Sequence, residues 1–202
     1  MKNIMTLGAT LVLTLSAFAS NEEGTTRYKV DGNASSITWH ATKVTGEHMG
    51  TVNVTNGVIS VTDGAMTSAN VIADMSSIAC TDLEGEWADK LVGHLNSDDF
   101  FNVSEHKTSS FLLRNIVPLA EPSKGATHTV TGDFTIRGIT QSVTFEANIN
   151  DNNGALSISG SVVLDRSQFD VKYGSGSFFD NLGDNLIHDN FTVGFNLVAQ
   201  AQ

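Results

Sequence analysis

Apolar and polar residues trade places along most of this chain. From Val143 to Asn150 the alternation is unbroken. After Asp151-Asn152-Asn153-Gly154 it resumes, with Leu156, Ile158, Gly160, Val162 and Leu164 set between Ser157, Ser159, Ser161 and Val163. Successive Cβ atoms of a strand point to opposite faces, so period two predicts strands with one buried face. The Asn- and Gly-rich segment between the two runs predicts a hairpin turn. The same rhythm passes through Ile37-Trp39-Ala41, Val52-Val54, Val71-Ala73-Met75, Phe111-Leu113, Val130-Phe134-Ile136 and Val193-Phe195-Leu197. With Tyr28 to Val30 as a short extra strand, the pattern predicts about eight or nine strands. Pro118, Pro122 and Gly125 mark the segment from Pro118 to Ala126 as a loop, and Arg137-Gly138 as a turn.

One segment departs from period two. Thr81-Asp82-Leu83-Glu84 has the Thr-x-x-Glu form of a capping box, and Leu83, Trp87, Leu91 and Leu95 recur every four residues. This predicts one helix from Asp82 to about Leu95, capped by Thr81, with those four side chains buried against the sheet. Many strands with one apolar face each can stack as a sandwich or close as a barrel. Long strands joined as consecutive hairpins favour the barrel. The fold class expected is all-β: an antiparallel up-and-down β-barrel of about eight strands with one short helix. An eight-stranded barrel has an interior just wide enough for its own side chains or one small ligand.

The first residues stand apart from this rhythm. Lys2, the apolar run Ile4 to Leu15 and Ala17-Phe18-Ala19 have the layout of a secretory leader, with cleavage expected after Ala19. The apolar run is short for a membrane span. Residues 1–19 are therefore expected to be a signal peptide, 20–202 a single barrel domain, and the location the periplasm. The chain carries 22 acidic against 11 basic residues, a net charge of −11. That charge argues against binding nucleic acid or anionic membrane surfaces. The one cysteine, Cys80, cannot form an intramolecular disulfide and is expected to be a buried small hydrophobe.

Several segments together carry a family resemblance. They are Tyr28-x-Val-Asp31, Ser35-Ser36-Ile37-x-Trp39, Lys43-Val44-x-Gly46-x-His48-x-Gly50 and Asp74-Met75-x-Ser77-Ile78. Further along come Leu91-x-Gly-His94-Leu95-x-Ser97-x-Asp99-Phe100-Phe101, Gly132-x-Phe134-Thr-Ile136-Arg137-Gly138 and Asp165-Arg166-x-x-Phe169. In this order, over Tyr28 to Ala199, the chain resembles the YceI-like proteins, exported polyisoprenoid-binding barrels similar to lipocalins. The resemblance implies a lipocalin-like barrel holding a long apolar chain: an isoprenoid quinone, a polyprenyl phosphate or a fatty-acyl lipid.

Candidate site residues follow from alternation read with that resemblance. Trp39, Val54, Met75, Phe111, Phe134, Phe145, Ile158 and Phe195 share the inward phase and are expected to line the barrel. Lys43 lies in phase with Ile37, Trp39 and Ala41, and is a head-group candidate with His48 and Arg166. Phe178 and Phe179, in a Gly-rich segment, are candidates for a lid at the mouth. The six histidines are scattered, so no metal site is expected. Nucleophile-elbow, dinucleotide-binding, phosphate-loop and Cys-x-x-Cys motifs are missing from the sequence, so no catalytic residues are assigned. The reading is a carrier of an apolar lipid, not an enzyme, with a homodimer as a further expectation about partners. The alternative is a filled barrel serving as a structural or stress-response interaction module.

Overall fold

The computed structural model describes residues 24–202, apart from 124 and 153. The leader expected at 1–19 lies outside the described residues. Among the described residues nine strands run in chain order: β1 Thr25–Val30, β2 Ser36–Lys43, β3 Gly46–Thr62, β4 Ala65–Cys80, β5 Thr108–Ser123, β6 Ala126–Ile136, β7 Ile139–Asn152, β8 Ala155–Asp165 and β9 Ile187–Ala201. One helix, α1 Gly85–Asn96, connects β4 to β5.

All neighbouring strands are antiparallel, and β2 to β9 close into an eight-stranded ring through the β2–β9 pairing. β1 adds no ninth position. It continues the line of β2, between β3 and β9, toward the other end of the barrel. The break between β1 and β2 is local chemistry: Asp31 Oδ1 accepts the N–H groups of Asn33 and Ala34, which turns the chain out of the ladder. Two of the two-residue hairpin turns, Asp63-Gly64 and Arg137-Gly138, have both residues at positive φ. That backbone matches the twist of the strands it joins, and Gly at the second position makes it inexpensive. The segment expected as a loop from Pro118 is mostly strand: β5 runs on to Ser123 and β6 starts at Ala126.

The barrel has a capped end, carrying α1 and the connections 97–107 and 166–186, and a far end, carrying the β3–β4, β5–β6 and β7–β8 turns. Tyr28, Ile59, Leu156, Leu197 and Ala199 pack the far half. Met75, Leu95, Phe100, Val103 and Val171 pack beneath the cap.

The helix forms where period four predicted it but faces differently. Trp87 is 70% exposed, and Leu95 is the one fully buried residue of α1. Leu91, Val92 and Leu95 meet the core, and Ala88 shares their side. At 3.6 residues per turn, a step of four drifts by about 40°. Leu83 lies before the helix, and two such steps set Trp87 about 80° from Leu95, off the contact face. The cap also differs: Glu84 is the N-cap with no side-chain bond, and the Thr81 hydroxyl donates to Met49 O. Cys80 is half-exposed, not buried, and its Sγ lies 3.2 Å from Asp82 Oδ1.

Candidate functional site

Alternation carries a row of apolar side chains from each strand into the barrel, and they leave two linked voids. Chamber one, of about 160 Å³, lies under the cap. Chamber two, of about 90 Å³, lies in the far half. Ile37, Val71, Phe111, Phe134 and Val193 line both, so the chambers meet at a waist. Phe111 and Phe134 stand at that waist, and Phe145 and Phe195 stack behind them on the chamber-two side. Phe111 lies 5.0 Å from Phe134 and 5.8 Å from Phe145, centroid to centroid, and Phe145 lies 5.7 Å from Phe195. Glycines make room for them. A Cβ on Gly132 would collide with the Phe111 ring, and one on Gly160 would come within 2.8 Å of Phe195 Cζ.

Trp39, Met75, Phe111 and Phe134 line chamber one; Phe111, Phe134, Phe145, Ile158 and Phe195 line chamber two. Trp39 is pinned by its indole N–H, which donates to Ala79 O at 3.1 Å. Val54 is buried in the far-half core but does not reach either chamber.

The head-group candidates sit elsewhere than expected. Lys43 is exposed at the last position of β2, paired with Gly46 across a two-residue turn, and does not line the lumen. The β2–β9 register shifts from Ala41↔Phe191 to Lys43↔Ile187, so the inward phase is broken before it reaches the lysine. His48 lines neither chamber, and its Nδ1 lies 2.8 Å from Asp82 Oδ2. Burial alone would push the Asp82 carboxyl up, but the Met49 N–H, His48 and Cys80 outweigh it and hold the group at about 2. His94 is elsewhere, beside Asp99 at 3.1 Å and edge-on to Phe100 and Tyr173. Among the described residues no group of three histidine, cysteine or carboxylate side chains is placed to hold a metal ion.

Arg166 does border chamber one, at 5% exposure. Its Nε donates to His188 O, its Nη1 to Val171 O and Tyr173 O, and its Nη2 to Ile187 O, all within 3.2 Å. Nη2 also lies 3.3 Å from Asp189 Oδ1. Burial pushes the guanidinium below its ordinary value, and the charges of Asp189 and Asp165 oppose that. Its donors are spent on stapling the 166–186 connection to the start of β9, which leaves none for a head group. Phe178 and Phe179 are 43% and 50% exposed and do not line either chamber.

Alternation did not single out several lining residues. Phe101 and Val171 come from the capping connections, which have no period to read. Ser109 had a signal: it lies two residues before Phe111, in the same inward phase. It lines chamber one with its Oγ buried and without a hydrogen-bond partner.

Comparison with known proteins places this architecture. Residues 28–199 match the YceI-like domain. The chain belongs to the YceI-like family. No curated protein matches it by sequence. Among solved structures, BcnA of Burkholderia cenocepacia is similar at a TM-score of 0.65 and 21% identity, over 85% of this chain and 99% of that one. A polyisoprenoid binding domain of Saccharophagus degradans, described as implicated in plant cell wall breakdown, is similar at 0.61 and 14% identity, over 87% and 98%. The YceI protein of Campylobacter jejuni is similar at 0.50 and 17% identity, over 68% and 73%. At these identities the likeness is one of fold. In this YceI-like barrel the Leu91 to Phe101 segment builds the cap. Leu95, Phe100 and Phe101 roof chamber one, while Arg137 Nη1 holds the cap down through Phe100 O and Asp170 O.

Proposed function

We propose that this YceI-like protein is an exported carrier that holds a long apolar lipid chain inside its barrel. The observation that carries the reading is the pair of apolar chambers joined at an aromatic waist. Trp39, Met75, Phe111, Phe134, Phe145, Ile158 and Phe195 would contact the chain. Burying each CH₂ is worth about 0.8 kcal/mol, so even a short stretch of chain gains several kcal/mol of transfer energy. The S. degradans relative, a polyisoprenoid binding domain, supports an isoprenoid as the chain. The leader-like residues 1–19 support export to the periplasm.

The polar inventory narrows the ligand. Lys43 lies outside the lumen and Arg166 has no donor to spare, so a phosphate or carboxylate inside would be a buried, unpaired charge. The free polar atom on the wall, Ser109 Oγ, suits a neutral carbonyl or hydroxyl. A quinone or a fatty-acyl ester fits within; a polyprenyl phosphate would have to leave its head outside.

The alternative of a filled-barrel interaction module has one observation in its favour. A dry cavity of roughly 150 Å³ takes only a benzene-sized guest, so a long chain enters only if the waist rings turn aside. Native mass spectrometry of the protein as purified from cells decides between the two. A carrier arrives with lipid mass that delipidation removes, and an added isoprenoid quinone then raises the melting temperature of the stripped protein. Lipid-free protein with no melting shift would leave the filled module.

A further inference from the structure

Closure of the ring between β4 and β5 rests on a short ladder, from Asn70↔Leu112 to Asp74↔Thr108. Toward the far end each strand keeps its other partner, β4 with β3 as far as Ala65 and β5 with β6 as far as Pro118. The two no longer pair with each other. Each carries a bulge where they part. β3 pairs Ser60 with Ser68 and Val61 with Met66, which makes Thr67 the extra residue of β4. β6 pairs Gly132 with Leu113 and Thr131 with Asn115, which makes Arg114 the extra residue of β5. Bulges bend a strand and end its pairing. The Arg114 side chain turns away from the gap, Nε 2.7 Å from Asp133 on β6. Beyond it β5 holds Pro118 and Pro122, which have no N–H to offer a neighbour and belong on a strand edge.

Behind this gap lies the smaller chamber. Met66, Leu113 and Ile116 line it from the two parted strands, and Leu112 and Val117 are exposed on the outer surface beside them. Both ends of the barrel are held shut. The cap is stapled by Arg166 and Arg137. At the far end the Tyr28 hydroxyl donates to Asp151 Oδ2, linking β1 to β7 over the packed core of that half. β7 and β8 also part, between 139–146 and 161–165. There Phe169, 1% exposed, and the Gln141 Nε2 bond to Gln168 O fill the cap-side part of the space, and toward the far end an outer hollow beside Thr144, Ser161 and Val163 stops at the Phe145 ring.

We propose that the β4–β5 gap is the portal through which an extended hydrocarbon chain enters and leaves the barrel, passing between Met66 on one side and Leu113 and Ile116 on the other. This rests on the reading of the lumen as a lipid site. No ladder hydrogen bond has to break for the chain to pass there, whereas every fully paired junction would have to open. The portal governs rates: closing it slows entry and exit alike and leaves the equilibrium affinity in place.

The test places cysteines on both edges, Ser68→Cys with Arg114→Cys, in a Cys80→Ser background. The probe is the methyl ester of cis-parinaric acid, a fluorescent polyene chain with a neutral end. Stopped-flow mixing with delipidated protein gives the association rate, and transfer from loaded protein to phosphatidylcholine vesicles gives the release rate. Bridging the thiols, by oxidation or with a short bis-maleimide, should lower both rates at least tenfold. Affinity should stay within twofold, and reducing a disulfide should restore the rates. Trimming the edges, Met66→Ala with Leu113→Ala, should raise both rates. If the probe binds but neither bridging nor trimming moves the rates, the portal is refuted and the lumen reading stands. If the probe does not bind the unbridged protein at all, the lumen reading falls and the portal with it.

Discussion

Phe145→Ala separates a packed core from a gated tunnel. Phe145 backs the waist from the chamber-two side, 5.8 Å from Phe111, 6.0 Å from Phe134 and 5.7 Å from Phe195, centroid to centroid. Removing the ring costs its transfer energy, its ring contacts and the new void, typically ~3–5 kcal/mol for a Phe→Ala change in a core. Phe145 is half-buried because one side already borders chamber two, so the cost belongs at the low end, about 3 kcal/mol. For a protein of this length each kcal/mol shifts the melting temperature by about 2–4 °C, so the lipid-free variant should melt roughly 6–12 °C below the parent. The same deletion enlarges chamber two and gives the Phe111 and Phe134 rings room to turn aside. A ligand specific for the folded state adds about 2.7 kcal/mol at a hundredfold excess over its dissociation constant, and more if the dissociation constant falls. The rise on adding an isoprenoid quinone, measured by scanning calorimetry on delipidated protein, should therefore be larger in Phe145→Ala than in the parent. Part of the lost stability returns with the ligand. A variant that loses stability and gains no more from the lipid than the parent would show that the ring is core packing and not a gate.

Three further outcomes follow from particular contacts. Arg166→Met should cost ~3–5 kcal/mol, because four carbonyls and the Asp189 carboxylate lose a buried partner; hydrogen exchange should show the loss concentrated in 166–187, and uniform loss across the barrel would contradict the staple. Asp82 sits at about 2, below its ordinary value, so its contribution to stability is present above about pH 4 and lost as the pH falls toward 2. Asp82→Asn should flatten that acid limb in urea melts, and an unchanged pH slope would mean that its donors do not hold the carboxylate. Trp87→Ala should cost less than about 1 kcal/mol, since the ring is exposed and its one notable contact is Lys90 Nζ at 5.0 Å; a drop of 3 kcal/mol or more would require Trp87 to be buried in solution.

Alternation along each strand determined by itself which side chains point inward, because the pleat is a property of the backbone and does not depend on the neighbour a strand finds. That is why Trp39, Phe111, Phe134, Phe145 and Phe195 could be named together, and why the all-β class, the strand count and the Arg137-Gly138 turn were legible. The leader pattern and the acidic charge were equally local to the sequence. Closure was not, since a sandwich and a barrel share the same alternation, and only the β2–β9 pairing distinguishes them. Lys43 kept its phase on paper, but the β2–β9 register shifts after Ala41 and the lysine ends the strand exposed. Period four located α1, but the surface beneath the helix chose Leu91, Val92 and Leu95 over Trp87. Arg166 stood as a head-group candidate because its partners are backbone carbonyls of Val171, Tyr173, Ile187 and His188, which no side-chain pattern encodes. The gap between β4 and β5 belongs to the same class. It depends on two bulges, and a bulge is a mismatch of register between strands, a quantity that exists only once they are paired.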